Sequence, residues 1–393
     1  MSQISKHLAA RGHDVTVLTD MPNHPHGLVY SGYRKKLLKG TYSEMDGEVR
    51  VVRVPHLFRP NRGSINRLIA FSSFTVTAAL RSMALGPFDV VIGTIPQPFS
   101  PLATWIRSFV GKAKLILEIR DLWPESIVAT GQGSTNSLAY RGIGLVVDFL
   151  YRRADQIIAV TDGIRNEILE THGVKADKVS VVRAGVDPES LKASLEKQEA
   201  KKRLGLHGKF VVTYLGTVGH AHGLGSMLEI AHNLQTPHPD ISLLVVGTGA
   251  EEKGIRKIVS DQGLKNISIL GQKPRSELPD ILAASDIGLA LLRPSEVFKT
   301  AVPTKIYEYM ATGLPVLTNV AGETTRIITE SKAGIAIPAG DASALTSQII
   351  ELQRDSSQLE SMSTAGTAYA RDTASWASRA EQFEQALLKA IKS

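Results

Sequence analysis

Pro303–Leu317, PTKIYEYMATGLPVL, reads as a short helix that runs into a strand. Pro303 disfavours helix at Val302 before it, Thr304 is a candidate N-cap, and Gly313 supplies the stop. Pro315–Leu317 then opens an apolar strand. Lys305 and Glu308 stand three apart and Tyr309 follows four after Lys305, so all three share one face near the helix start. That end of a helix carries about half a positive charge and free N–H groups. A lysine adds a full charge, and a carboxylate beside it can accept two hydrogen bonds from vicinal hydroxyls. Together they describe a seat for a ribose carrying a diphosphate. The plain alternative is an amphipathic helix with a solvated Lys305–Glu308 ion pair.

Strands and helices alternate on both sides of this stretch. Before it, Asp14–Thr19, Val49–Val54, Phe88–Gly93, Lys114–Ile119, Gln156–Val160 and Lys178–Val182 read as strands. After the turn-like Arg183–Pro188 the pattern restarts with Phe210–Leu215, Ser242–Gly247, Ile267–Leu270, Asp286–Leu292, Pro315–Thr318 and Gly334–Ile337. Two successive βα series of similar size predict an α/β protein of two facing Rossmann-like domains with mostly parallel sheets. The boundaries fall at 1–185 and 186–373, with 374–393 as a C-terminal helix crossing back onto the first domain. A doubly wound domain normally opens with a strand and a glycine-bearing turn. Here the helix Ile4–Arg11 comes first, so the first domain is expected to lack its first strand.

In open parallel sheets ligands sit at the carboxyl ends of strands. Gly216, Thr217, Gly219 and His222 follow Phe210–Leu215, Gly247 ends Ser242–Gly247 with Gly249 after it, and Gln272 and Lys273 follow Ile267–Leu270. Glycines at such places let backbone approach a ligand closely. In the first half, Arg120–Asp121 ends Lys114–Ile119. A carboxylate beside an arginine is expected to stay ionised, and it could orient a hydroxyl or stabilise a developing cation. An ordinary salt bridge between elements is the alternative. No G-x-G-x-x-G or G-x-x-x-x-G-K-[ST] occurs, which argues against a dehydrogenase and a P-loop enzyme, and no G-x-S-x-G marks an α/β-hydrolase. No Asp-x-Asp is present to hold a magnesium diphosphate. The pairs His24/His26 and His220/His222 lack a nearby carboxylate and read as loop histidines, so no metal site is expected.

At 393 residues, 43% hydrophobic and 21% charged, the chain is long enough for two globular domains. The absence of cysteine excludes a disulfide framework, a thiolate metal site and a cysteine nucleophile. Net charge is +7, with +8 through Arg183 and −1 beyond it. The excess gathers in Arg34, Lys35, Lys36, Lys39, Arg50, Arg53, Arg59, Arg62, Arg67 and Arg81. Such a segment suits nucleic acid, an anionic membrane or a phosphorylated substrate, or is a solvated basic surface. No apolar run reaches the roughly 18 residues that span a bilayer, so a soluble protein is expected, at most lying on a membrane surface.

In their order and spacing, several of these segments resemble the GT-B glycosyltransferases of family 4, over nearly the whole chain. The marks are Arg11–Thr19 (RGHDVTVLT), Pro22–Gly27, Gly32–Tyr33, Arg120–Ser126 (RDLWPES), Ala154–Thr161, Asp286–Leu292 and Pro303–Val316. The chain looks most similar to bacterial transferases that build O-antigen or capsule, N-acetylfucosamine transferases among them. The resemblance implies a second domain that binds a nucleotide sugar, UDP-linked, and a first domain that binds the acceptor. Glu308 would take the ribose hydroxyls; Lys305 and the Gly216–Gly219 backbone would face the diphosphate, and Gln272–Lys273 the base. Asp121, beside Arg120, would face the reacting sugar. Transfer would retain anomeric configuration without a metal or other cofactor, onto a lipid-diphosphate-linked glycan at the inner face of the cytoplasmic membrane. That acceptor gives the basic half a purpose and leaves nucleic acid without one.

The chain departs from the family pattern in three places. The usual first acidic residue would fall at Thr300, and Glu296 lies four positions early. His220, His222 and Gly223 stand where an arginine and a lysine are common, which puts the diphosphate charge on Lys305, with Lys299 or Arg293 as helpers. The glycine-bearing loop before Ile4 is missing. A sugar-nucleotide epimerase of the same fold and a non-catalytic nucleotide-sugar-binding protein are the competing functions.

Overall fold

The computed structural model describes all residues except 1, 24–26, 39, 60–63, 96–98, 130–133, 339 and 393. His24, His26, Lys39 and Arg62 lie outside the described residues. The chain divides into two compact units, Met1–Arg183 with Arg379–Ser393, and Ala184–Ser378.

In the first unit, β1 (Thr16–Asp20), β2 (Tyr42–Asp46) and β3 (Val49–Val54) form one sheet in the order β1-β3-β2. The strands β4 (Val90–Ile95), β5 (Lys114–Ile119), β6 (Gln156–Ala159) and β7 (Val179–Val181) form a second, parallel sheet in chain order. β1 and β4 are thus both edge strands among the described residues. The strand β2 is absent from the sequence reading because YSEMD carries two acids and little apolar alternation. It pairs antiparallel with β3, and Arg53 Nε donates to Glu44 across the pair at 2.6 Å. The core of the parallel sheet is a run of aliphatics, Leu115, Leu117, Ile119 and Ile157, closed by Val147, Leu150 and Ile168 from helices. The last helix, Trp376–Lys392, joins this unit from Arg379 onward, where Glu384 accepts from Arg11 at 2.6 Å and lies 2.7 Å from His13 Nε2.

In the second unit β8 (Phe210–Leu215), β9 (Ile241–Val246), β10 (Ile267–Gly271), β11 (Ile287–Ala290), β12 (Val316–Thr318) and β13 (Gly334–Ala336) make one sheet. Its order is β10-β9-β8-β11-β12-β13, and every pair is parallel. The order turns at β8, so the crevice beside its carboxyl end is where a ligand is expected. Both faces are covered, which explains the unbroken apolar strands. Val212, Tyr214, Leu243 and Val245 point to one layer, Val211, Leu215, Leu244 and Val246 to the other. Asp286 pins the start of β11: its carboxylate accepts from Val211 N and from the buried Lys201 amine, both at 2.7 Å.

The helix within Pro303–Leu317 is Lys305–Ala311, seven residues, with Gly313 at φ +73° after it. Thr304 precedes it with helical dihedrals and its hydroxyl caps nothing. The N-cap geometry needs extended dihedrals to turn the side chain back toward the first N–H groups. So short a helix also carries a weak dipole, and the positive charge of this end rests on the side chain of Lys305.

Candidate active site

Lys305 and Tyr309 point inward and Glu308 stands at the edge of the same helix turn. Tyr309 is the anchor. Its ring presses on Gly288, where a Cβ would meet it at 2.4 Å, and its hydroxyl accepts from Leu215 N at 2.8 Å. The same hydroxyl lies 3.2 Å from the carbonyls of Thr213 and Leu289, tying the helix to β8 and β11. One turn earlier, Lys305 runs to the carboxyl end of β8. Its amine sits 3.7 Å from the centroid of the Tyr214 ring, and a Cβ on Gly216 would lie 3.0 Å from it.

That amine is buried and makes no hydrogen bond. Burial pulls its pKa from 10.5 down to about 7, against the opposing pull of Glu308. The aromatic face of Tyr214 offers only partial compensation for lost hydration. An uncompensated buried ammonium is costly, and an anion placed beside it removes much of that cost. Burial and the Lys305 charge lower the pKa of His222, against the opposing pull of the Gly219 backbone and Glu251.

The backbone around them is assembled from glycines. A Cβ on Gly247 (φ +140°) would stand 1.8 Å from the Gly216 carbonyl, and one on Gly249 would stand 2.2 Å from that of Val218. Only glycine permits loops after adjacent strands to touch so closely. Bonds from Gly216 N to Val246 O, Val218 N to Thr248 O and Gly247 N to Gly271 O knit the ends of β8, β9 and β10. Gly216, Thr217, Gly219, His222, Gly247, Gly249, Gln272 and Lys273 all belong to these loops, although Lys273 lies 3.8 Å from Glu277.

Other expected groups are engaged elsewhere. Lys299 pairs with the exposed Glu296 at 2.7 Å, a local contact three residues apart. Arg293 is 3.1 Å from Glu251, which also holds His220 Nδ1 at 2.6 Å. Among the described residues, the Lys305 amine has no side-chain acid bonded to it. Glu308 faces Arg275, Nη1 to Oε1 3.4 Å, an exposed arginine that can release it. Tyr214, Glu251 and Arg275 were invisible in the sequence reading. Of these only Tyr214 carried a signal, as an inward strand position two residues before a glycine. Past the His220–Gly223 turn, whose Ala221 carbonyl accepts from Arg293 N at 2.9 Å, is a cavity of about 180 Å³. Leu292, Pro294, Phe298, Val320 and Ala321 supply its apolar wall, and Arg293, Glu296, Lys299 and Asn319 line it as well.

In the first unit, Arg120 donates to both oxygens of buried Glu118, each at 3.0 Å. Desolvation raises the Asp121 carboxyl above its ordinary pKa while Arg120 pulls it down. The guanidinium therefore hydrogen-bonds to Glu118, and its charge still favours the ionised form of the exposed Asp121.

Two protein-family models match the chain. One described as Glycosyltransferase Family 4 covers residues 1–190, and one described as Glycosyl transferases group 1 covers 196–369. A protein of Escherichia coli (strain K12), named as a glycosyl transferase of colanic acid biosynthesis, is 24% identical over 78% of this chain and 75% of its own. A lipopolysaccharide core biosynthesis mannosyltransferase of Rhizobium meliloti (strain 1021) is 29% identical over 56% of this chain and 61% of its own. Among solved structures, Anabaena HepE in complex with UDP and glucose superposes with a TM-score of 0.72 at 18% identity, over 96% of this chain and all of that one. Sucrose-phosphate synthase from Thermosynechococcus elongatus gives 0.76 at 17% identity, over 98% and 90%. With a family 4 first half, a group 1 second half and the fold of these neighbours, the chain belongs to the GT-B glycosyltransferases.

Proposed function

We propose that this glycosyltransferase transfers a sugar from a UDP-sugar to a lipid-diphosphate-linked glycan during synthesis of a cell-surface polysaccharide, with retention of anomeric configuration. The observation that carries the reading is the buried, unpartnered amine of Lys305 at the carboxyl edge of β8, amid backbone that glycines bring close. Such a group favours an anion, and it favours it most when charge grows on a departing diphosphate. His222 and the Gly216–Gly219 backbone would share the diphosphate, Glu308 would take the ribose hydroxyls once Arg275 releases it, and Gln272–Lys273 would meet the base. UDP is the nucleotide because HepE, a neighbour in fold, is described with it. The donor sugar would be an N-acetylated amino sugar, with its methyl group toward the apolar wall of the cavity beyond His220–Gly223. Side-chain cations supply the charge that a metal supplies elsewhere, and no further cofactor is needed. Asp121, with Arg120 holding Glu118 beside it, would act on the acceptor side, orienting the incoming hydroxyl or stabilising an oxocarbenium-like state. A lipid-linked acceptor would bring the protein to the inner face of the cytoplasmic membrane, and the basic first half suits that surface better than nucleic acid.

The test is a thermal-shift screen of nucleoside diphosphates and nucleotide sugars. At a hundredfold excess over Kd, UDP should stabilise by about 2.7 kcal/mol, a shift of several degrees. Glu308→Ala should remove most of that shift by leaving the ribose hydroxyls without their acceptor. If no nucleoside diphosphate raises the melting temperature, the reading fails. Product from the hit donor that appears only when a lipid-linked acceptor is added separates transferase from epimerase.

A further inference from the structure

We propose that Glu251 competes with the donor's diphosphate for Arg293. The carboxylate holds the arginine at the rim of the seat and yields it to the nucleotide. Arg293 then becomes the second cation on the leaving group, and Glu251 sets how tightly the nucleoside diphosphate is kept. The proposal rests on the reading that the seat beside Lys305 takes a diphosphate. Three loops meet here: Arg293 follows β11, Glu251 lies beyond β9 and His220 opens the turn after β8. One carboxylate oxygen, Oε1 of Glu251, accepts from Arg293 Nη2 at 3.1 Å and lies 2.6 Å from His220 Nδ1.

The main chain of both partners is fixed. Glu251 N donates to the Val218 carbonyl at 3.0 Å, the same carbonyl that a Cβ on Gly249 would approach to 2.2 Å. Glu251 is thus built into the loops after β8 and β9, and it lies close enough to His222 for its charge to act there. Its side chain is 20% exposed. Arg293 N donates to the Ala221 carbonyl at 2.9 Å, and a Cβ on Gly223 would stand 3.2 Å from that nitrogen. This anchors the Arg293 backbone on the turn that carries His222, whereas its side chain is 56% exposed and has room to change partner.

Charge decides which partner Arg293 prefers. An ion pair whose arginine is this exposed contributes little to stability. A diphosphate presents several charged oxygens to the guanidinium fork, where Glu251 presents one oxygen that it shares with His220. His220 stays behind, so the largely buried carboxylate keeps a partner when the arginine leaves. Negative charge on the diphosphate grows as its bond to the sugar breaks, and that growth favours the transfer of Arg293. Once the sugar has gone, Glu251 acts in the opposite sense: a fixed carboxylate beside a bound diphosphate weakens its hold and speeds its release. A purely structural tie between three loops has no such consequence.

Isothermal titration calorimetry of the full chain with UDP tests this. Glu251→Gln keeps the size and an acceptor oxygen but drops the charge, and it should bind UDP about tenfold tighter than wild type. The gain should shrink as salt is raised. Arg293→Met should bind about tenfold more weakly, and Arg293→Lys, which keeps the charge without the fork, should fall between it and wild type. Adding Glu251→Gln to Arg293→Met should bring a smaller gain than it brings to wild type, because the arginine to be released is gone. Uridine, which has no phosphate, should bind all these proteins alike, and its binding shows that they fold. A wild type that binds UDP while Glu251→Gln binds it equally or more weakly would overturn the proposal. So would a gain from Glu251→Gln that is undiminished beside Arg293→Met, since Glu251 would then act by repulsion alone. Failure of the wild type to bind UDP removes the diphosphate reading itself, and this proposal with it.

Discussion

Lys305→Met should cut transfer by about a hundredfold to a thousandfold, the range expected on removing one charge-stabilising group from a developing anion, while making the protein without nucleotide more stable. The two effects share one cause. The amine is buried over Tyr214 with no hydrogen bond, and its pKa falls from 10.5 to about 7. A folded-state pKa below the unfolded value means the unfolded chain binds the proton more tightly, so stability rises with pH between about 7 and 10.5. Below pH 7 the full cost of the charged amine is present. Water reaching the amine by local opening limits the gain on replacing it to about 1–2 kcal/mol, or about 2–8 °C in a unit of this size. Nucleotide binding follows the opposite sign. A diphosphate beside Lys305 favours the ammonium and raises its pKa, so binding takes up a proton and UDP affinity falls as pH rises above 7. In Lys305→Met the rise of Tm with pH over this window and this fall in affinity should both disappear. Melting curves with and without UDP at pH 6, 7.5 and 9 measure both. A variant that lost the UDP shift but kept the wild-type pH dependence would exonerate this amine.

What the sequence disclosed about this site follows from which contacts are local. Helix period places Lys305, Glu308 and Tyr309 on one turn, and strand-end glycines announce the loops around Gly216 and Gly247. Rank order along a βα chain likewise yields two parallel sheets. Long-range partnership was not legible. Nothing near Lys305 in sequence says that the ring of Tyr214 lies against its amine, or that Arg275 covers Glu308. Lys299 was a plausible second cation until a glutamate three residues away captured it. Adjacency puts the Arg120 charge beside Asp121, but it does not show that Nε and Nη2 bond to Glu118, two residues back on the same side of an extended segment. In the first unit, the charged β2 carried no strand signal, and the division of the strands between two sheets depends on pairings the pattern does not encode.

Gly247→Ala should be the most damaging single methyl group in the second unit, and its cost can be separated into parts. Gly247 has φ +140°, a conformation that side chains rarely adopt, and the added carbon would lie 1.8 Å from the carbonyl oxygen of Gly216. Backbone strain of this kind costs about 1–3 kcal/mol, and relieving the overlap costs about 1–3 kcal/mol more. Together they should lower the melting temperature by about 5–20 °C at 2–4 °C per kcal/mol. Gly263→Ala isolates the backbone part, because Gly263 also has positive φ (+60°) but nothing lies within 4 Å of its added carbon. It should cost about 1 kcal/mol and leave UDP binding intact. Gly249→Ala isolates the crowding, because its carbon would meet the Val218 carbonyl at 2.2 Å without a positive φ. In both crowded variants the loops after β8 and β9 must part, and the Gly216–Gly219 backbone moves away from Lys305. Residual UDP binding should therefore drop together with stability for Gly247→Ala and Gly249→Ala and stay untouched for Gly263→Ala. If Gly249→Ala bound UDP as the wild type does, the close meeting of these loops would serve the fold alone, and the diphosphate seat would have to be sought elsewhere along the sheet.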